Sequence, residues 1–150
     1  MNETISRLDF LELMEEAFSR ESTVCFTPGG RSMLPLLDGK TDTVTLSKKP
    51  PKLHKYDVIF YVRKGGVFVL HRIVRCEKDG TYTLSGDSQY YLEKGVRYED
   101  VKAIMTAYEK NGRTYRVTAF SYKLYARFNI LKKYARMALV KVYHTLFRKK

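Results

Sequence analysis

A mainly β chain of the α+β class, built from antiparallel hairpins with a short helix before them and a long basic helix after, is what this sequence predicts. Three observations carry that expectation. Runs of apolar and alternating residues, punctuated by glycine turns, fill the middle of the chain; apolar residues recur at intervals of three and four near the N-terminus; and the same spacing is sustained over residues 120–146. The chain has 150 residues, 44% of them hydrophobic and 29% charged. That is one globular domain with room for a core, too apolar for a disordered chain and too short for two independent domains.

The elements follow in order. Residues 6–18, SRLDFLELMEEAF, place Leu8, Leu11, Met14 and Phe18 at helical spacing with acids on the outer face. Thr23 to Thr27 reads as a strand ended by Pro28-Gly29-Gly30, a cluster that permits a tight turn. Thr43 to Leu46 is a short alternating strand, and the prolines of Lys48 to Lys52 exclude regular structure after it. Asp57 to Val62 and Val67 to Val74 form a hairpin around Arg63-Lys64-Gly65-Gly66. A second hairpin pairs that strand with Thr81 to Ser85 through Glu77 to Gly80, and a third joins Val101 to Tyr108 with Arg113 to Val117 around Asn111-Gly112. No strand-helix alternation calls for a parallel sheet, and no internal repeat is present.

Charge and cysteines narrow the function classes. The net charge is +12, and the segment from Phe120 to Lys150 holds nine basic residues and no acid, leaving only +3 for residues 1–119. Such a balance favours an anionic partner. Cys25 and Cys76 are too few for a disulfide scaffold and match no metal spacing, so reduced thiols are expected, with no metal and no cofactor. No apolar run approaches the ~18 residues of a membrane span. The start, MNETISRLDF, lacks the basic and apolar regions of a secretory leader.

One segment departs from fold logic. Gly29-Gly30-Arg31-Ser32-Met33-Leu34-Pro35 sets a serine in a constrained turn able to present its hydroxyl and its own N–H to one point, as an acyl-transfer nucleophile with an oxyanion hole requires. Alone it reads more readily as an ordinary glycine-proline loop with a solvated serine. His71 lies inside the apolar strand Val67 to Val74, 39 positions after Ser32, where a hairpin can return it to that loop as a general base. His54 and His144 sit in a proline-rich loop and the basic tail. Asp87, or the later Glu93, could orient the imidazole as a third member, and either could equally be a turn residue.

These residues resemble a family. Gly30-Arg31-Ser32-Met33-Leu34-Pro35 is similar to the G-x-S-M-x-P serine box of signal peptidases and LexA-like serine proteases. Lys55-Tyr56-Asp57-Val58-Ile59-Phe60 is similar to their K-G-D-V-V-F strand, Leu70-His71-Arg72-Ile73-Val74 to their V-H-R-V strand, and Leu84-Ser85-Gly86-Asp87-Ser88 to their K-G-D-N turn. The boxes keep order and spacing over residues 22–109, about three fifths of the chain. The resemblance implies a partly open, barrel-like β domain over residues 1–119. It makes Ser32 the nucleophile, the backbone N–H groups of Gly30 and Ser32 the oxyanion hole, and His71 the base, as in the Ser-His branch of archaeal and endoplasmic-reticulum signal peptidases. That branch's assisting acids fall on Asp87 and Glu93, and Asp87, on the tight Gly-Asp turn, is the expected third member. Tyr56 stands where the family has glycine, Ser88 where it has asparagine, and Glu93 where it has aspartate. The family's N-terminal membrane anchor is missing from this sequence, and the ~20 residues ahead of the serine strand are too few for a helix-turn-helix domain.

In residues 120–150, stepping 100° per residue gathers Phe120, Leu124, Phe128, Leu131, Ala135, Ala138, Leu139, Val142 and Leu146 on one face of a basic amphipathic helix. Either that face lies on an anionic membrane or it packs on the domain; nucleic-acid binding is a weaker third reading, since no recognition motif accompanies it. The expected function is a serine endopeptidase cleaving a leader or propeptide, in the cytoplasm or peripheral on the inner face of the membrane. The alternative is a catalytically silent relative that binds peptide strands or docks on membranes. With an ordinary histidine as base, activity should rise through about pH 6 to 7.

Overall fold

The computed structural model describes residues 6–147; Arg148, Lys149 and Lys150, three of the nine basic residues of the tail, lie outside them. Helix α1 spans Arg7–Ser19 and is opened by a reciprocal cap, in which the Asp9 N–H donates to Ser6 Oγ and the Ser6 N–H to Asp9 Oδ2. Eight strands follow: β1 Val24–Phe26, β2 Thr43–Lys48, β3 Val58–Val62, β4 Phe68–Cys76, β5 Tyr82–Ser85, β6 Glu93–Val96, β7 Val101–Lys110 and β8 Arg113–Arg116. Helix α2, Phe120–Phe147, closes the described chain.

The strands make one antiparallel sheet in the order β1-β2-β7-β3-β4-β5-β6. Strand β8 pairs with β7 beyond the reach of β3. The two ends of the series, β1 and β6, do not meet, so the sheet is open rather than a closed barrel. All three expected hairpins form. The one strand not expected is β6, whose sequence Glu93-Lys94-Gly95-Val96 has neither alternation nor β-branched content at its centre. It is a strand because β5 offers it an edge, pairing Tyr82 with Val96 and Leu84 with Glu93.

Two apolar clusters lie on the two faces of the sheet. The larger gathers Met14 and Phe18 of α1, Leu36, Leu37, Val44, Leu46, Val58, Phe60, Leu70 and Met105. The smaller holds Leu53, Ile59, Tyr61, Ile73, Leu84 and Val101. Alternation along β4 divides its neighbours between them: Leu70 and Arg72 face the first cluster, His71 and Ile73 the second. Helix α1 turns slightly from the expected face. Leu8 is exposed, and Phe10 takes the inward place, its ring edge-on to Phe26 and Phe60 at 5.3 and 5.9 Å.

The larger difference concerns α2. Its first half packs on the domain through Tyr122, Ala126, Asn129, Ile130 and Lys133, so residue 119 does not mark a separation between domain and helix. The apolar face read from the sequence points the other way. Phe120, Leu124, Phe128, Leu131, Leu139 and Leu146 are each 57–81% exposed. The inner face is polar and aromatic because what it covers is polar: the Arg72–Asp87 ion pair at the end of the sheet.

Candidate active site

The serine loop is shaped by glycines. Gly29 and Gly30 hold φ of +79° and +71°, which side chains disfavour, and their backbone exchanges hydrogen bonds with Gly39: the Gly29 N–H donates to Gly39 O at 2.8 Å and the Gly39 N–H to Gly30 O at 3.1 Å. The turn after β5 then braces Ser32 from below. The Ser88 N–H donates to Ser32 O at 2.9 Å, and the single hydroxyl proton of Ser88 is shared between the Arg31 and Ser32 carbonyls, each 3.0 Å from Oγ. Gly86 lies so close that a Cβ there would stand 2.6 Å from Ser32 O and 2.9 Å from Ser32 Cβ. Serine at position 88 thus supplies the donors that tie the two boxes together.

Ser32 and His71 line one cleft of about 340 Å³, with Gly30, Met33, Phe68 and Leu70 in its walls. Among the described residues the Ser32 hydroxyl has no hydrogen-bond partner, and neither do the N–H groups of Gly30 and Ser32. All three polar groups of the expected nucleophile and oxyanion hole are therefore unspent. The imidazole of His71 is only 2% exposed.

What stands behind the imidazole is Tyr61. Its hydroxyl is 3.3 Å from His71 Nδ1 and donates to Glu93 Oε2 at 2.6 Å. A phenol has one proton, so with that proton given to Glu93 its oxygen must accept from His71, which places the imidazole proton on Nδ1 and leaves Nε2 with a free lone pair. Glu93 is itself gripped by Arg63, whose Nε lies 2.9 Å from both carboxylate oxygens and whose Nη2 lies 2.5 Å from Oε2. Glu93 Oε2 is 4.0 Å from His71 Nδ1, so the carboxylate reaches the ring chiefly through the phenol.

These neighbours set the proton affinities. Burial, seconded by the Arg63 charge, lowers the His71 pKa to about 4 against the opposing pull of Glu93 and Asp87, so the ring is neutral across the physiological range. Burial works against the Glu93 anion but is outweighed by hydrogen bonds from Arg63 and Tyr61, and its carboxyl sits below the usual range. Burial and the bond to Glu93 raise the Tyr61 pKa, keeping the phenol protonated.

Asp87 is elsewhere. Its carboxylate accepts from Arg72 Nε at 2.8 Å and Nη2 at 2.7 Å, in a pair with both side chains fully buried, and accepts a further bond from Tyr125 at 3.0 Å. It makes no hydrogen bond to the imidazole, because His71 and Arg72 are successive residues of one strand and point to opposite faces. The expected preference for Asp87 over Glu93 therefore reverses in the geometry: Glu93 is the acid on the His71 side. The signal for Tyr61 lay in the register of the first hairpin, since Ile59 pairs with His71 and Tyr61 follows two residues later on the same face. Nothing in the sequence marked Lys133, which is buried and donates to Ser85 Oγ, Gly86 O and Gln89 O from behind the turn that braces Ser32.

The position of Tyr56 also has a backbone reason. Its φ is +84°, in the region that favours glycine, and its carbonyl accepts from Arg72 Nη1 at 2.9 Å. A larger hollow of about 630 Å³ opens behind Tyr61 and Glu93, with neither Ser32 nor His71 in its walls. Among the described residues no group of three histidine, cysteine or acidic side chains could hold a metal ion, and no helix is long and apolar enough to cross a membrane. Comparisons with protein-family models, with curated proteins and with solved structures found no match.

Proposed function

We propose that the protein is a serine endopeptidase of signal peptidase-like type that releases a leader or propeptide. The observation that carries the reading is the pairing, in one cleft, of a serine hydroxyl unpartnered among the described residues with an imidazole whose Nδ1 proton is held by Tyr61, so that Nε2 is free to act as base. In the proposed reaction Ser32 Oγ attacks the scissile carbonyl carbon and its proton passes to His71 Nε2. The carbonyl oxygen, now an anion, takes hydrogen bonds from the Gly30 and Ser32 N–H groups. The imidazolium returns the proton to the leaving amine as the C–N bond breaks, and water, activated by the same nitrogen, frees Ser32 from the acyl group. Tyr61 and Glu93 are positioning residues that fix the tautomer and offset the charge on the ring.

The test is covalent. A fluorophosphonate should label the full chain at Ser32, mapped by peptide mass spectrometry, and Ser32→Ala and His71→Ala should each abolish labelling while leaving the circular dichroism unchanged. A silent peptide-binding relative is the second reading, favoured by the lack of a hydrogen bond between Ser32 and His71 among the described residues. It predicts no labelling at Ser32 under any pH, which would overturn the peptidase. Nucleic-acid binding is the weaker third reading: the basic helix could meet phosphates, but no recognition motif accompanies it.

A further inference from the structure

Helix α2 carries two unlike faces. At 100° per residue, the buried Tyr122, Ala126, Asn129, Ile130 and Lys133 centre almost diametrically opposite the stripe of Phe120, Leu124, Phe128, Leu131, Leu139 and Leu146. The inner face is engaged by the domain: Tyr122 accepts from Arg72, Tyr125 donates to Asp87, and Lys133 holds the turn after β5, while Asn129 Oδ1 is buried with no partner among the described residues. Among the described residues the outer face is left largely in solvent, though it is an unbroken apolar band along the helix, more than single exposed residues of an ordinary surface would make. From Ala138 to Phe147 every residue is exposed, so the stripe runs on past the domain.

The flanks decide what would cover it. Lys123, Arg127 and Lys141 border the stripe on one side, and Lys132 borders it on the other with Arg136, which also donates to Tyr90. No acidic residue occurs in the helix, and Tyr134 and Tyr143 stand one on each flank. A second copy laid on this stripe would bring two rows of lysine and arginine together with nothing to neutralise them. A nucleic acid would meet the cations but leave the central leucines and phenylalanines against phosphate and water. An anionic bilayer satisfies both parts at once, taking the apolar stripe at the boundary of the acyl chains while the basic side chains reach up to lipid phosphates. We propose that the outward face of α2 docks the protein in the plane of an anionic lipid surface. The inference stands independently of any peptidase activity.

Flotation of the full chain with vesicles tests it. The protein should float with phosphatidylcholine mixed with phosphatidylglycerol, weakly or not with phosphatidylcholine alone, and less at high salt. Phe128→Glu together with Leu131→Glu should lower partitioning about tenfold or more, with thermal unfolding unchanged because both side chains are already in solvent. The chain contains no tryptophan. A tryptophan introduced by Leu131→Trp should therefore blue-shift on vesicles and be quenched by brominated lipid, while one introduced by Val67→Trp, at the remote β3–β4 hairpin, should not. That second pair decides the matter even if the double glutamate variant unfolds. Lack of flotation with the anionic vesicles, equal flotation of the double variant, or quenching at neither tryptophan would overturn the proposal. So would a lipid-free dimer, or retention by a nucleic acid, that the same double variant abolishes with no effect on flotation.

Discussion

At the scale of single residues, the placement of one proton matters most. Because the phenol of Tyr61 gives its only proton to Glu93, His71 is left with a defined tautomer. Burial, with the Arg63 charge, lowers to about 4 the histidine expected from sequence to titrate near 6 to 7. The acid limb of fluorophosphonate labelling should therefore fall near pH 4 rather than near 6.5, measured as the second-order rate over brief exposures. The same shift bears on stability. An unfolded histidine protonates near 6.5 and the folded one near 4. Between those values the unfolded chain binds more protons, so the contribution of His71 is present above about pH 6.5 and is lost as pH falls through about 4. Glu93, also below its ordinary value, works in the same direction.

Asp87 and Glu93 can be told apart by which property each variant disturbs. Glu93→Gln keeps the shape and the partly exposed position of the side chain but removes its charge, and should slow labelling by about 10- to 100-fold with a small change in melting temperature. Asp87→Asn leaves the guanidinium of Arg72 buried without its anion, and should cost roughly 3 to 5 kcal/mol of stability by the behaviour of broken buried pairs. Thermal unfolding alongside labelling checks both. If Asp87→Asn slows labelling with an unchanged melting temperature, Asp87 rather than Glu93 serves the imidazole.

At the scale of elements, the turn between β5 and β6 joins the serine loop to α2. Ser88 hydrogen-bonds the Ser32 backbone from one side and Lys133 holds Gly86 and Gln89 from the other. The closeness of Gly86 to Ser32 makes the sharpest test: Gly86→Ala puts a methyl group within 3 Å of Ser32 and must push the nucleophile out of place. It should reduce labelling by at least about tenfold, since small displacements of a reacting group are costly. Circular dichroism should stay native, because the clash is local. The residues of this turn were legible as a Gly-Asp box, but its partner on α2 was not. A lysine in a basic helix reads as solvated until the carbonyls that surround it are known.

At the scale of the molecule, α2 belongs to the domain in its first half and leaves it in its second. Truncation after Ala119 removes the buried Tyr122 and Ile130 at ~1.5 to 3 kcal/mol each and opens the Arg72–Asp87 pair to water, together a large part of a typical stability of ~5 to 15 kcal/mol. The shortened chain should be unfolded or far less stable. Among the described residues, truncation after Met137 removes only exposed ones, Ala138 to Phe147, and its unfolding free energy should stay within about 0.5 kcal/mol of the full chain. Urea denaturation of the two truncations checks both statements. Equal stability would mean that the inner face of α2 contributes nothing.

The sequence by itself determined the hairpins, both helices, the serine loop and the histidine strand, because each rests on local signals: alternation along a strand, glycine where φ is positive, and helical spacing. It also determined that α2 has an apolar stripe. Which way that stripe faces was decided only by the tertiary structure, since a helix turns toward the partner that its surroundings offer. Here the surroundings are a buried ion pair calling for the hydroxyl groups of Tyr122 and Tyr125 rather than leucines. The same holds for β6, a strand only because β5 has a free edge, and for the acid beside His71. Asp87 and Glu93 follow the same strand within a few residues of each other. Only the opposed faces of His71 and Arg72, and the return of β6 along β5, send one carboxylate to the guanidinium and the other to the phenol.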